Sequence, residues 1–270
     1  MDAVFIPSAE ADARAAEAAE RHHAQLAGAL ALKVESLTAL ARASRPLDEE
    51  VRSDLVGWCR TELVPHALAE ESTLYRAAAQ RPEGRLLVEA MLAEHQLILG
   101  LVDDLEQATD PVTAAVTAHA LRAVFETHVA KENHQVLPLL VGAPEVSVAE
   151  LLGNMGELIG VDSDHGHDRP GASGEPGGHS CGCREEGTTE LPELDARAIP
   201  HVIRHATIFG ALDGVAPGRG LVLVAPHDPL PLLTQLEQRA PGDFAIEYLE
   251  RGPDSWRLSM VRTDRVRSNA

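Results

Sequence analysis

The chain has 270 residues, a formal charge of −19 and only 3% aromatic residues. Its length suits two domains with separate cores, and its charge disfavours nucleic acid and anionic membrane as direct partners. Three cysteines and the acidic opening MDAVFIPSAEADARAAE lead us to expect a cytoplasmic protein without signal peptide or membrane span.

Apolar residues at steps of three and four predict helices over about 9–43, 48–79, 83–109 and 112–140. The breaks are Ser44-Arg45-Pro46, Arg81-Pro82-Glu83-Gly84 and Asp110-Pro111, short enough to make neighbours antiparallel. In the first helix His23 lies on the stripe with Leu26 and Leu30, and His22 is the alternative beside it. The second carries Leu55, Cys59, Leu63, His66, Glu70, Leu74 and Ala77. Cys59 is expected to be a packed core thiol, and Pro65, which cannot donate to the helix ladder, to kink the helix. The third helix reads Val88, Met91, His95, Ile98 or Leu99, Val102 and Leu105. The fourth reads Leu121, Phe125, His128, Glu132, Val136 and Leu139. His119 is half a turn from that stripe and is expected in solvent, and His134 is off it.

Two of these stripes contain the same interruption, His66-Ala67-Leu68-Ala69-Glu70 and His128-Val129-Ala130-Lys131-Glu132. A four-residue step puts both side chains of H-x-x-x-E on one helix face. Counted outward from each turn, His23, His66 to Glu70, His95 and His128 to Glu132 fall within one to two helical turns of a common level. Four imidazoles and two carboxylates converging in an apolar core supply donors for two metal ions. Carboxylates buried there without partners would cost several kcal/mol. His and carboxylate donors suit iron, zinc or manganese.

The HALAE and HVAKE motifs, with the AEHQLI segment between them, resemble the hemerythrin HHE cation-binding family over about residues 10–142. The resemblance implies an up-down four-helix bundle housing two non-haem iron ions, with Glu70 and Glu132 bridging and histidines capping each iron. Oxygen-carrying members have a second His four residues after the first on the third helix, where this chain has Leu99. The site is therefore similar to that of the sensor and regulatory branch.

Residues 145–160 read as one more amphipathic helix, closing a domain that spans 1–160. Residues 161–190 turn to Asp, Gly, His, Pro and Ser without periodicity, which marks a flexible linker. Residues 191–265 alternate strand and helix patterns. Strand LPELDAR leads to a helix from His201 to Val215, then strand GLVLVAP and a helix that Asp228 should cap. Strands FAIEYLE and SWRLSMV complete a small βαβαββ sandwich. This segment resembles an uncharacterised branch of the TusA-like sulfur-carrier fold. His201 stands where the sulfur-carrying Cys would fall, so the resemblance does not extend to persulfide transfer.

The linker has a signal of its own in His179, Cys181 and Cys183, which are close enough to share a zinc or copper ion. His201, His205 or His227 would complete that second metal or thiol site if the linker folds onto the C-terminal domain. Together these readings predict a di-iron protein that binds or senses a small oxidant (O₂, NO or peroxide) or iron, with relay through the C-terminal domain or to a redox partner protein. The alternatives are an enzyme reducing those oxidants, and a bundle that uses metal to fold.

Overall fold

The computed structural model of the protein describes residues 7–159, 191–199 and 204–263. The first bundle helix, α1, runs unbroken over Pro7–Arg42. The second is assembled from α2 (Glu49–Trp58), a π-helical turn at Cys59–Leu63, α3 (Val64–Ser72) and α4 (Leu74–Ala78). The third is α5 (Arg85–Gln107). The fourth joins α6 (Pro111–Lys131), a π-helical turn at Glu132–Val136 and α7 (Leu137–Val141). A further helix, α8 (Val148–Ile159), packs against α1 and α3. Asp48 and Asp110 start the second and fourth helices by accepting backbone N–H bonds, Asp110 from Val112 and Thr113 at 3.0 and 2.9 Å.

Prolines explain the interruptions. In the π-turns, the N–H of Val64 reaches back five residues to Cys59 and that of Leu137 to Glu132. The next residue in each case is a proline, Pro65 or Pro138, which removes the following donor from the α ladder. The kink expected at Pro65 is thus a π-turn, and Pro138 makes a second one that the sequence analysis did not anticipate.

The C-terminal domain follows the order β1 (Glu193–Asp195), α9 (Arg204–Asp213), β2 (Gly220–Ala225), α10 (Leu230–Arg239), β3 (Phe244–Arg251) and β4 (Trp256–Arg262). Its sheet order is β1-β2-β4-β3, with β1 and β2 parallel and the other pairs antiparallel. That is the expected βαβαββ pattern. The capping role expected of Asp228 is not found. Its carboxylate accepts from the Tyr248 hydroxyl at 2.8 Å, and α10 begins after Pro229 without a side-chain cap.

Three apolar clusters hold the chain together. One joins Leu30, Val34, Leu37, Leu55, Leu63, Ile98, Val102, Leu121 and Phe125. A second, around Leu74, Tyr75, Met91, Val136, Leu137 and Leu140, fills the opposite end of the bundle. The third is the core of the C-terminal domain, and it takes in Ala31 of α1. That sharing is possible because α1 and α9 cross almost backbone to backbone. A Cβ on Gly210 would lie 1.9 Å from the carbonyl oxygen of Ala24, and one on Gly28 2.1 Å from the nitrogen of Ala211. Only glycine leaves room for such an approach.

Candidate metal centre

In every bundle helix the polar residues of interest fall between the two apolar clusters of the bundle. His23 lies between Ala19 and Leu26, and His66 with Glu70 between Leu63 and Leu74. His95 lies between Met91 and Ile98, and His128 with Glu132 between Phe125 and Val136. All six are buried, none more than 2% exposed. Two groups of them could each hold an ion: His23, His66 and Glu70, and Glu70, His95, His128 and Glu132. Glu70 belongs to both.

The nitrogens facing inward are the four Nε2 atoms. His66 and His23 place theirs 3.0 and 3.2 Å from Glu70 Oε1, and that of His95 lies 3.8 Å from Glu70 Oε2. The Nε2 atoms of His95 and His128 are 2.9 Å apart. Their Nδ1 atoms lie 2.9 Å from Glu71 and 3.0 Å from Glu94, and they donate to these acceptor-only carboxylates. The two Nε2 atoms then face each other across 2.9 Å, where a shared proton or a metal ion can satisfy both. His66 has no hydrogen-bond partner at either nitrogen, and Glu132 has none at Oε2. Orphaned donors of this kind in a dry core fit a metal ion.

Charge balance leads to the same chemistry. Burial disfavours a charged Glu70, but the His66 charge and the hydrogen bond from His23 outweigh it and hold the carboxyl well below its usual range. Burial likewise opposes protonation of His23, yet the Glu70 hydrogen bond and the Glu132 and Glu70 charges push it up to about 9. Without a metal, the carboxylates are neutralised by protons that a metal would displace.

Four residues at the site were not expected. Tyr75 is buried beneath the cluster, donating to Glu132 Oε1 and lying 3.0 Å from His128 Nε2. Burial, and then the Glu132 charge, raise its pKa strongly. It reaches this position because the second helix breaks at Thr73 (φ −118°, ψ −84°), whose hydroxyl donates to the Ala69 carbonyl at 2.6 Å. Glu71, Glu94 and Asn133 hold Nδ1 atoms from outside, Asn133 taking that of His23 at 2.6 Å. Lys131 in turn donates to Glu94. Their sequence signal is adjacency: each stands next to a cluster residue, in the doublets Glu70-Glu71, Glu94-His95 and Glu132-Asn133.

His22 is outside both groups. Its half-buried ring lies edge-on to that of His66, centroids 4.9 Å apart, and burial followed by the His66 and His23 charges lowers its pKa to about 4. Leu99 is half-buried on α5, His134 is exposed, and His119 is exposed with its ring 2.9 Å from the Thr38 hydroxyl. Cys59 is fully buried, its thiol pushed up to about 12 by burial.

Of the second predicted site, His179, Cys181, Cys183 and His201 lie outside the described residues. His205 and His227 are both exposed and line one pocket of about 360 Å³ with Arg204, Ile208, Leu223 and Leu232. No group of three metal donors forms there among the described residues. Nor, among them, is any helix long and apolar enough to cross a membrane.

Comparison with protein families agrees with this geometry. Residues 14–140 match the hemerythrin HHE cation binding domain, and residues 193–262 match an uncharacterized conserved protein family, DUF2249. No curated protein and no solved structure matches the chain. The bundle is thus similar to the hemerythrin HHE cation-binding family over residues 14–140, and the C-terminal domain to DUF2249 over residues 193–262.

Proposed function

We propose that the bundle holds two non-haem iron ions, one at His23 and His66 and one at His95 and His128, with Glu70 and Glu132 between them. The observation that carries this reading is the fusion of two buried donor groups through Glu70, with the Nε2 atoms of His95 and His128 converging to 2.9 Å. Iron in such a site supplies redox chemistry and affinity for small oxidants. The protein's part is to exclude water with the flanking apolar clusters and to fix each imidazole from outside. We infer that the centre binds or senses O₂, NO or peroxide in the cytoplasm, and that the C-terminal domain relays the outcome, directly or to a redox partner.

Tyr75 favours a second reading, an enzyme that reduces one of these oxidants. Its hydroxyl lies among Glu132, His128 and His95, where it holds a proton beside the centre. Metal analysis and Mössbauer spectroscopy of protein from iron-replete cells test the iron assignment, which one ion or none per chain overturns. Stopped-flow mixing of the reduced protein with O₂, NO and peroxide separates the two readings. A lasting spectral change without consumption supports binding, and turnover with an electron donor supports the enzyme. Absence of any reaction with all three rejects both.

A further inference from the structure

The three outer hydrogen bonds follow a rule. Glu71, on the second bundle helix, holds His95 on the third. Glu94, on the third, holds His128 on the fourth. Asn133, on the fourth, holds His23 on the first. Each outer residue is the sequence neighbour of a cluster residue on its own helix, and each reaches to the next helix around the bundle. The neighbour lies after the cluster residue on the second and fourth helices and before it on the third. Adjacent helices are antiparallel, so a step forward on one and a step back on the next turn the same way about the bundle axis. The rule therefore specifies the member that closes the circle. It lies on the first helix, immediately before His23, and reaches to His66.

That residue is His22. It already faces His66 at 4.9 Å between ring centroids, and His66 Nδ1 is the one inward-aimed imidazole's outer nitrogen left without a partner. His22 also lines two clefts where the C-terminal domain meets the bundle. One, of about 430 Å³, is walled by Phe209 and Asp213 of α9 and Arg239 of α10, and the other, of about 270 Å³, by Trp58, Glu62 and Gly214.

We propose that His22 is a positioning residue for His66, completing the ring of outer hydrogen bonds by accepting from His66 Nδ1–H, and that it does so from the wall of the interdomain clefts. The inference rests on the metal assignment proposed above, because an Nδ1–H donor leaves Nε2 free for an ion. It also places a group of the metal centre directly in contact with the space beside the C-terminal domain.

The test uses full-length protein with His22→Phe, which keeps the bulk and removes the acceptor, and His22→Glu, which supplies an acceptor like those of Glu71 and Glu94. Titrated anaerobically with ferrous iron, His22→Phe should lose about 10- to 100-fold in affinity for one of its two equivalents, as removal of such partners does elsewhere. His22→Glu should restore it. Wild-type affinity for both equivalents in His22→Phe overturns the proposal. In metal-free protein, ¹⁵N-histidine spectra should show His66 Nδ1 protonated and hydrogen-bonded in wild type and His22→Glu, and free in His22→Phe. If wild type takes up no iron, the metal assignment fails, and the metal-free spectra alone decide on His22. Should His22→Phe not fold, loss of the His66 Nδ1 hydrogen bond in wild type or His22→Glu is the overturning result.

Discussion

Replacing Gly210 with alanine should loosen the C-terminal domain from the bundle. The added Cβ would stand 1.9 Å from the Ala24 carbonyl oxygen, 2.4 Å from its carbon and 2.8 Å from the Gln25 nitrogen, all backbone atoms of α1. None of these can rotate away, so α9 must retreat by about 1 Å or more to reach an ordinary contact. The retreat thins the packing of Ala31 and Leu32 against the C-terminal core. Overpacking of this kind costs about 1–3 kcal/mol, which here falls on the contact between domains. The reciprocal change, Gly28→Ala, meets Ala211 at 2.1 Å and should do the same. Gly57 and Gly100 are also helical but have open space where a Cβ would go. Alanine at either should stabilise by about 0.5–1 kcal/mol through helix propensity alone. Amide hydrogen exchange across α1 and α9, with calorimetry of the four variants, reads the difference. Gly210→Ala and Gly28→Ala that exchange like wild type and melt like Gly57→Ala would show that the crossing is not as tight as described.

At the centre itself, the double variant Glu70→Gln, Glu132→Gln should lose most bound metal, and retention of two ions by elemental analysis would contradict the bridging assignment. Chelator-treated wild type should unfold more easily in urea than loaded protein, by ~4 kcal/mol when free metal exceeds Kd a thousand-fold; coincident curves would argue against binding to the folded bundle. Tyr75→Phe removes the hydrogen bond to Glu132 Oε1 and should cost the metal-free protein about 1–3 kcal/mol in the same assay. Metal uptake should depend on pH. His23 carries a proton up to about 9, so loading near pH 7.5 should release at least one proton, and affinity should fall roughly ten-fold per pH unit below that value. The same raised value stabilises the metal-free fold fully below the unfolded pKa near 6.5, a contribution lost as pH rises through about 9. Competition titrations between pH 6.5 and 9.5 that give a constant affinity would refute the protonated His23.

The pattern of the bundle was legible because His23, His66, Glu70, His95, His128 and Glu132 interrupt apolar stripes, and stripe and level are both countable from sequence. The structure brings those six together between two apolar clusters. Tyr75 escaped because five residues separate it from Glu70, the wrong step for an unbroken helix; only the break at Thr73 turns it inward. Glu71, Glu94 and Asn133 escaped because a residue beside a core position reads as solvent-facing, and their partners are on other helices. Asp228 followed a local capping pattern that a hydrogen bond from Tyr248 on β3 overrode. The closeness of α1 and α9 rests on two glycines 182 positions apart, each unremarked in its own helix.

The two π-turns bear on how the length of such a chain can change. Inserting one residue into a helix ordinarily rotates everything beyond it by about 100°, and is among the least tolerated of edits. Here each π-turn already contains one residue more than an α ladder would use, and each is followed at once by a proline that keeps the surplus from being drawn back into the ladder. The surplus at Cys59–Leu63 lies upstream of His66 and Glu70, and the one at Glu132–Val136 begins at the last residue of its H-x-x-x-E pair. Neither falls inside a pair. Gains and losses of single residues at these two places would leave the internal spacing of both pairs intact.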